Sequence, residues 1–231
     1  MQFVFTPPPT AAVPVWNASE LFPVHRIYCV GRNYADHAME MGGTGRETPF
    51  FFMKPADAVL PILADTVGQM HYPTHTSDLH HEIELVVAIG IGGRAIKAVD
   101  AVKHIWGYAI GIDMTRRDLQ AEAKKLGRPW CIAKGFDDSA PIGPIHRISE
   151  TGVIGNGAIY LNVNAVSRQS SDISQLIWSV AETIEVLSGY FALQPGDLIF
   201  SGTPSGVAAV KQGDLIESGI EGLGSLSLQI V

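Results

Sequence analysis

A β-rich α+β fold is predicted by three features of this 231-residue chain. Short apolar segments recur along it, and their Val, Ile, Phe and Tyr residues are those that favour strands. Only two longer segments, residues 115–126 and 172–189, have the apolar spacing and capping residues typical of helices. The 24 glycines and 14 prolines are spread along the chain, which suits many short strands joined by turns. This pattern argues against a regular alternation of strands and helices around a parallel sheet.

The composition is that of an ordinary globular protein, with 46% hydrophobic and 17% charged residues. The net charge of −7 argues against a non-specific nucleic-acid surface. The Pro-rich residues 1–24 predict an extended arm, and no shift in composition divides residues 25–231, which we expect to form one domain. No secretory signal or membrane-spanning apolar run is recognisable, and Cys29 and Cys131 lack CxxC spacing. We therefore expect a cytoplasmic protein with no membrane partner and two reduced core cysteines.

The most informative segment is His80–Ile89, which predicts a strand because Val, Ile and Leu dominate it. Glu82 and Glu84 are two residues apart, so a strand directs both carboxylates to the same face. Paired carboxylates at the start of an apolar run suit a hard divalent cation such as Mg²⁺, which prefers oxygen ligands. The alternative is the polar face of an edge strand, and this segment alone favours neither. His80 and His81 are candidate outer partners of such a metal site.

Asp113 is a candidate third ligand, because it lies where an apolar strand gives way to the helix predicted from Thr115. An Asp in front of a helix is also a common N-cap, and spacing alone slightly favours that interpretation. His37 and Glu40 are three residues apart, so they share a face if this segment is helical. A carboxylate beside an imidazole suits a general base, and the alternative is an exposed helical pair without a function.

Lys134 lies in the aromatic and apolar segment Pro129–Asp137, where an unpaired ammonium is costly to bury. It is therefore a candidate for stabilising an oxyanion or a substrate carboxylate, and the alternative is a lysine whose head reaches solvent. Gly202–Gly206 is a turn whose backbone N–H groups can approach a ligand, although an ordinary turn is the simpler explanation. The sequence has no phosphate-binding P-loop, nucleophile elbow or HExxH zinc motif.

Several separated motifs, in one order over about residues 25–231, resemble those of the fumarylacetoacetate hydrolase family. They are Val30–His37, Glu40, Lys54–Pro55, His81–Leu85, Gly107–Tyr108, Asp113–Asp118, Lys134–Asp137, Leu198–Val207 and Glu221–Gly224. Many motifs in register are far more specific than any one of them. Within the family, the Pro-rich arm with Leu21–Tyr34 and the segment Pro49–Pro55 most resemble the branch of fumarylpyruvate hydrolases and acylpyruvases.

The resemblance implies a mixed β-sheet rolled on itself, one catalytic domain over residues 25–231 and a homodimer. It implies that an Mg²⁺ or Mn²⁺ ion is bound by three carboxylates, which here match Glu82, Glu84 and Asp113. It further implies that a His–Glu pair, matching His37 and Glu40, activates water, and that Lys134 stabilises the oxyanion.

The resemblance also points to residues that bind the substrate. Family positions that contact the α-keto acid end of the substrate match Arg117, Gln120 and Thr203. The motif Val30–His37 adds Arg32 and Asn33 as candidates. Arg46 follows the glycine-rich loop Gly42–Gly45, which is expected to close over the site, and is a candidate for the distal carboxylate.

The implied reaction is hydrolysis of a carbon–carbon bond in a 2,4-diketo acid, with fumarylpyruvate of the gentisate pathway as the expected substrate. One alternative is another reaction at the same site, namely that of an acylpyruvase, an oxaloacetate decarboxylase or a homoprotocatechuate-pathway isomerase or decarboxylase. The other alternative is a small-molecule binder without catalytic activity. The presence of both metal-ligand and base candidates favours an enzyme.

Overall fold

A computed structural model describes residues 2–35 and 46–231, and strands dominate it. The strands are β1 (Ala12–Pro14), β2 (Leu21–Pro23), β3 (Arg26–Gly31), β4 (Phe50–Lys54), β5 (Val59–Pro61), β6 (Val67–Met70), β7 (Leu79–His80), β8 (Ile83–Ile89), β9 (Ile105–Ile112), β10 (Thr115–Arg116), β11 (Ala140–Ile142), β12 (His146–Arg147), β13 (Ala158–Val163), β14 (Val166–Asp172), β15 (Asp197–Phe200), β16 (Ala209–Val210), β17 (Leu215–Ile220) and β18 (Gly224–Ile230). The α-helices are α1 (Arg117–Leu126), α2 (Cys131–Lys134), α3 (Ile148–Thr151) and α4 (Val180–Tyr190). Short 3₁₀ helices span Ala56–Ala58, Ala98–His104 and Ile173–Gln175. The predicted β-rich fold is confirmed.

Two mixed sheets form the body of the protein. The larger has the strand order β4-β3-β15-β8-β9-β11-β5, with β12 paired to β9, and the smaller has the order β14-β13-β17-β18-β6. The β3–β15, β5–β11 and β6–β18 pairs are parallel, and the other pairs are antiparallel. Leu85 and Ile110 of the larger sheet share a buried apolar cluster with Leu161 and Leu228 of the smaller one. The two sheets therefore pack face to face over a common core.

The N-terminal segment covers the other face of the larger sheet. Strands β1 and β2 pair as a short antiparallel hairpin. Val13 and Phe22 of this hairpin are buried in a second cluster with Val86 and Phe200 of the larger sheet. Because its side chains complete a core, the hairpin contributes packing energy as well as covering the sheet.

Strand β8 is central and buried on both faces, which excludes the polar edge strand considered from the sequence. It pairs with β9 on one side and with β15 on the other. A strand that is covered on both faces is expected to be apolar almost throughout, and Ile83–Ile89 is apolar except at Glu84. The predicted strand is nevertheless interrupted, because β7 ends at His80 and belongs to a separate small sheet with β10 and β16. Glu82 lies between β7 of this three-stranded sheet and β8 of the larger sheet.

Helix α1 begins two residues later than predicted, and Thr115 is not its cap. Thr115–Arg116 forms β10, which pairs with β7, and no side chain caps the helix at Arg116. The Thr115 hydroxyl instead accepts a hydrogen bond from Lys134. The predicted stop is correct, because Gly127 ends the helix with a φ of 63° that glycine adopts readily. The strand pairing therefore shifted only the start of the helix.

The second predicted helix, over residues 172–189, is two separate elements. Asp172 caps only the 3₁₀ turn Ile173–Gln175, and α4 starts after Ser179, whose side chain forms a capping box with Glu182. Between them the backbone N–H groups of residues 177 and 178 donate to the backbone and side chain of Asn33. These tertiary hydrogen bonds replace the intrahelical ones and break the helix.

Strand β13 ends at Val163, because Asn164 and Ala165 both have positive φ and turn the chain into the β13–β14 hairpin. Of the two cysteines, both free thiols, Cys29 is buried as expected but Cys131 is exposed. None of the helices in the described residues is long and apolar enough to cross a membrane.

Candidate metal centre and substrate cleft

Three carboxylates meet where the larger sheet adjoins the small one. Glu82 lies just before β8, Glu84 is its second residue and Asp113 directly follows β9. The antiparallel β8–β9 register brings these strand ends together, and the Asp113 N–H donates to the Glu82 carbonyl at 2.8 Å. All three side chains are buried, and one carboxylate oxygen from each lies within 4.8 Å of the others. The structure therefore assembles the three predicted metal ligands.

The three carboxylates create a concentrated negative charge. Burial, followed by the charges of Asp113 and Glu82, holds the pKa of Glu84 well above its usual range, although the Gly202 N–H donates to Glu84 at 2.7 Å. An all-oxygen set with this charge fits Mg²⁺ or Mn²⁺. The N-cap interpretation of Asp113 is wrong, because helix α1 begins only at Arg117. The donor set thus meets the chemical requirement of a divalent metal site.

Lys134 lies among these carboxylates rather than reaching solvent. Its Nζ donates to Glu82 Oε2 at 2.9 Å, to Asp113 Oδ2 at 2.7 Å and to Thr115 Oγ1 at 2.6 Å. Burial opposes its charge, but Asp113 and Glu82 outweigh that effect and raise the pKa of Lys134. The ammonium is therefore held protonated beside the candidate metal ligands.

A second buried lysine, Lys54, has a role that the sequence did not indicate. Its Nζ lies 2.8 Å from Asp113 Oδ1 and donates to the carbonyls of Met114 and Lys134. Asp113 consequently has a lysine at each carboxylate oxygen. Lys54 occurred in one of the family motifs, but only the long-range contact between β4 and the end of β9 reveals what it does.

Arg117 and Gln120 are placed together by the first turn of α1. Arg117 donates to Glu82 Oε1 at 2.5 Å and to Gln120 Oε1 at 2.6 Å. Residues three apart share a helix face, so the turn directs both side chains toward Glu82. With Lys54 and Lys134, Arg117 gives Glu82 and Asp113 three cationic neighbours. We call the side chains of Glu82, Glu84, Asp113, Lys54, Lys134 and Arg117 the acidic floor.

Gln169 of β14 connects the second sheet to this site and was missed from the sequence. Its Oε1 accepts from the Ile83 N–H at 3.2 Å and contacts His81 Nδ1 at 2.9 Å. Its Nε2 donates to Thr203 Oγ1 at 2.7 Å and to the Pro204 carbonyl at 2.8 Å. The Ile83 N–H can only donate and the Pro204 carbonyl can only accept, so they identify the amide oxygen and the amide nitrogen of Gln169. Thr203 Oγ1 therefore accepts a hydrogen bond from the Gln169 nitrogen. No local signal marks Gln169, because much of its strand is exposed and polar.

His81 is a neutral imidazole in this network. Because Gln169 Oε1 can only accept, His81 Nδ1 carries the hydrogen in their contact. Burial, only partly offset by this hydrogen bond, lowers the pKa of His81 to about 4. His81 therefore orients the segment before Glu82, as the predicted outer partner of a metal site would. His80 contacts Asp78 instead, at 2.9 Å.

The acidic floor opens into a cleft that is lined by charged, polar and aromatic side chains. Aromatic rings form one wall, with Trp130 packed edge-on against Phe50 at 5.5 Å and tilted against Phe52 at 5.7 Å. The lining residues are Val30, Gly31, Arg32, Phe50, Phe52, Glu82, Glu84, Arg117, Gln120, Lys124, Trp130, Lys134 and Thr203. The cleft therefore brings the candidate metal ligands together with four predicted substrate contacts, which are Arg32, Arg117, Gln120 and Thr203.

Two other predicted substrate contacts lie elsewhere. The Asn33 amide donates to the carbonyls of Trp178 and Ser201 and accepts from the Trp178 N–H, so backbone groups occupy it. Arg46 pairs with Glu182 at 2.5 Å and stacks on Trp178 at 4.3 Å. Neither lines the cleft. The predicted base pair His37 and Glu40, with the loop Gly42–Gly45, lies outside the described residues.

Comparisons with known proteins agree with the motifs. The family model for the fumarylacetoacetate (FAA) hydrolase C-terminal region matches residues 26–231. A crystal structure of fumarylpyruvate hydrolase from Pseudomonas aeruginosa, in complex with Mn²⁺ and pyruvate, is similar with a TM-score of 0.98 and 52% identity. The similarity covers 100% of this chain and 99% of that one. The predicted resemblance to the family and the predicted fold are confirmed.

Curated relatives have other activities in their names. The mitochondrial oxaloacetate tautomerase of Rattus norvegicus is 40% identical over 88% of this chain and 90% of that protein. The mitochondrial oxaloacetate decarboxylase of Dictyostelium discoideum is 39% identical over 86% of this chain and 89% of its own length. Oxaloacetate, the compound in both names, is a keto acid.

Proposed function

This chain belongs to the fumarylacetoacetate hydrolase family, and we propose that it hydrolyses a carbon–carbon bond of a 2,4-diketo acid, converting fumarylpyruvate to fumarate and pyruvate in gentisate degradation. The observation that carries the proposal is the buried acidic floor at the base of a cleft that also holds Arg117, Gln120 and Thr203. The 52% identity to a fumarylpyruvate hydrolase supports this substrate over those of the more distant relatives.

The metal ligands in this proposal are Glu82, Glu84 and Asp113, binding Mg²⁺ or Mn²⁺. When bound, the ion acts as a Lewis acid on the α-keto acid end of the substrate and offsets negative charge that develops there. Lys54 and Lys134 hold the two oxygens of Asp113, and Arg117 holds Glu82. These contacts fix the carboxylates before substrate arrives, which lowers the cost of organising the site.

The α-keto acid end of the substrate is bound by Arg117, Gln120 and Thr203. The Thr203 oxygen already accepts a hydrogen bond from Gln169, so its own hydrogen is free to donate to an anion. Arg117 and the Gln120 amide offer further N–H donors at the same wall of the cleft. Donors on a rigid helix turn and a fixed hydroxyl hold the substrate in one orientation.

Water attack completes the chemistry. His37, oriented by Glu40, takes a proton from water as its oxygen attacks the distal ketone carbon. Lys134 stabilises the resulting oxyanion, which displaces the neutral Thr115 hydroxyl from the ammonium. Collapse breaks the carbon–carbon bond, leaves fumarate and expels the enolate of pyruvate. The proton held by His37 then converts the enolate to pyruvate.

A spectrophotometric assay after dialysis against a chelator tests the proposal. Fumarylpyruvate turnover is expected to disappear without metal and to return with Mg²⁺ or Mn²⁺. His37→Ala is expected to abolish the turnover, whereas His71→Ala, which changes an exposed histidine, serves as the matched control. Full turnover in the His37 variant would remove the hydrolytic mechanism, and full activity after complete metal removal would remove the metal.

Oxaloacetate decarboxylation is the second candidate, because relatives at 39–40% identity have oxaloacetate in their names. Decarboxylation needs the enolate-stabilising part of the site but no attacking water. Measuring kcat/KM for oxaloacetate and fumarylpyruvate side by side separates the two candidates. We expect fumarylpyruvate to be preferred, and a clear preference for oxaloacetate would reverse the ranking.

The proposal also includes a homodimer and a cytoplasmic location. Analytical ultracentrifugation of the purified protein is expected to give twice the chain mass of 24.8 kDa. A monomer at all concentrations would contradict the dimer without affecting the proposed chemistry. Fractionation of the source cells tests the location.

A further inference from the structure

Two cations in the cleft are separate from the acidic floor. Arg32 follows β3 and Lys124 is on the last turns of α1, and both line the cleft. Within the described residues, neither side chain forms an ion pair or a hydrogen bond, and the buried Nε of Arg32 has no partner. Arg117 and Lys134 by contrast are paired with Glu82. We call Arg32 and Lys124 the cationic pair.

The aromatic wall holds the cationic pair in one place. The Arg32 guanidinium lies 5.9 Å from the centre of the Phe50 ring, and Lys124 Nζ lies 5.1 Å from that of Trp130. The two rings contact each other edge-on, so the two cations are presented over one continuous aromatic surface. Such rings attract cations but leave their N–H donors free to bind an anion.

The charge around Lys124 favours an anion at this place. The pKa of Lys124 is lowered to about 8, first by burial and then by the positive charges of Arg117 and Arg32. Arg32 also has a left-handed backbone, with a φ of 64°, which is uncommon for a residue other than glycine and marks functional positions more often than ordinary ones. A bound anion relieves the repulsion between these cations.

We infer that Arg32 and Lys124 form a subsite for the second carboxylate of a dicarboxylic diketo acid, and that they select dicarboxylic over monocarboxylic substrates. The inference rests on the proposed function, since it assigns the far end of the same substrate. The first carboxylate lies with Arg117, Gln120 and Thr203, the planar unsaturated chain packs on the aromatic wall, and the second carboxylate reaches the cationic pair.

Arg46, the candidate suggested by the sequence, is a poorer choice for this role. Its guanidinium is bound to Glu182 and stacked on Trp178, so binding a substrate carboxylate requires breaking an existing ion pair. The cationic pair has no such competitor among the described residues and already faces the cleft.

Lys124→Met tests the subsite by comparing fumarylpyruvate with acetylpyruvate, which has the same α-keto acid end but no second carboxylate. Losing a charged hydrogen bond is expected to lower kcat/KM for fumarylpyruvate roughly 10- to 100-fold, mainly through KM, and to change acetylpyruvate less than about 3-fold. Arg32→Asn is expected to act the same way, because asparagine tolerates the left-handed backbone. Lys125→Met is the matched control, since Lys125 is the exposed neighbour on the same helix.

Two results would overturn the inference. One is an equal loss for both substrates, which indicates a general disturbance of the cleft. The other is unchanged kinetics with fumarylpyruvate. If Lys124→Met is poorly folded, Lys124→Gln replaces it with a side chain of similar length. If the wild-type protein turns over neither substrate, the proposed function fails. The subsite can then still be tested by calorimetric titration, in which fumarylpyruvate and acetylpyruvate are each added to metal-loaded wild type and to Lys124→Met.

Discussion

The acidic floor and the cationic pair are two charged regions of one cleft, and they differ in how their charges are balanced. Glu82 and Asp113 of the floor have three cations from the protein within hydrogen-bond distance. Among the described residues, Arg32 and Lys124 have aromatic neighbours but no anionic partner. Charges that the protein balances stabilise the fold and organise the site, whereas charges left unbalanced are available to a ligand. Substitutions that remove a cation from the floor should therefore affect stability and catalysis together, and those in the pair should affect binding alone.

The largest effect is expected from Lys134→Met. It leaves Glu82 and Asp113 without a cation that both contact, and breaking a buried ion pair costs about 3–5 kcal/mol. We also expect kcat to fall roughly 10³-fold, because an oxyanion-stabilising donor is lost. Urea unfolding and steady-state kinetics measure the two effects, with Lys125→Met as the exposed control. A fully stable Lys134→Met protein would contradict the account of the floor.

Glu84→Gln should separate metal binding from folding. The glutamine amide oxygen can still accept from the Gly202 N–H, and neutralising Glu84 removes repulsion with Asp113 and Glu82. We expect the free energy of unfolding to be unchanged or higher. Metal affinity should fall by more than roughly 100-fold, because losing even an outer partner of a metal ligand typically lowers affinity about 10- to 100-fold. Calorimetric titration with Mn²⁺ measures the affinity, and the exposed Glu122→Gln serves as control. Wild-type affinity in Glu84→Gln would exclude this carboxylate as a ligand.

Gln169→Leu tests how far the floor depends on the second sheet. The change leaves the Ile83 N–H and the Pro204 carbonyl without their buried partner, which is expected to cost about 1–3 kcal/mol. Because Thr203 loses its fixed orientation as well, KM should rise for fumarylpyruvate and acetylpyruvate alike. Gln169→Glu keeps the acceptor end but loses the donor end, so it should restore the contact with Ile83 and not that with the Pro204 carbonyl. A rise for only one substrate would contradict this role.

The smallest effect is a pH dependence that belongs to the cationic pair. The pKa of Lys124 is lowered to about 8 from an ordinary 10.5, so its ammonium loses its proton on raising the pH through 8, where an ordinary lysine stays charged. The charged groups that act on Lys124 are Arg117, Arg32, Glu82 and Lys134. KM for fumarylpyruvate should therefore rise several-fold between about pH 8 and 9.5, and that for acetylpyruvate should not.

The comparison with Lys124→Met completes the pH measurement. In this variant the rise in KM for fumarylpyruvate above pH 8 should be absent, because no titrating amine remains at the position. A rise of equal size in the variant would assign the titration to another group.

How much the sequence predicted differs between the two regions. The sequence singled out Glu82, Glu84, Asp113 and Lys134, and the structure brings their side chains together, because buried carboxylates and a buried lysine are costly unless they meet. Their roles as metal ligands and oxyanion donor stay predictions. Of the cationic pair, only Arg32 was a candidate from the sequence, because Lys124 is one of two adjacent lysines at a helix end and nothing in the sequence distinguishes it from Lys125. Arg46 was chosen for the distal carboxylate because a single sequence does not show that Glu182 and Trp178 already bind it.

The sequence by itself determined the local chemistry of this protein. It contained the apolar run of β8, the helix stop at Gly127 and the motifs that place the chain in its family, because such signals depend on neighbouring residues. Only the tertiary structure decided where the helices begin and which partners the charged side chains take. Helix preferences differ by less than about 1 kcal/mol per residue, so pairing of Thr115 with β7 and binding of Trp178 to Asn33 override them. The contacts of Lys54 and Gln169 join residues far apart in the chain, and only folding brings them together.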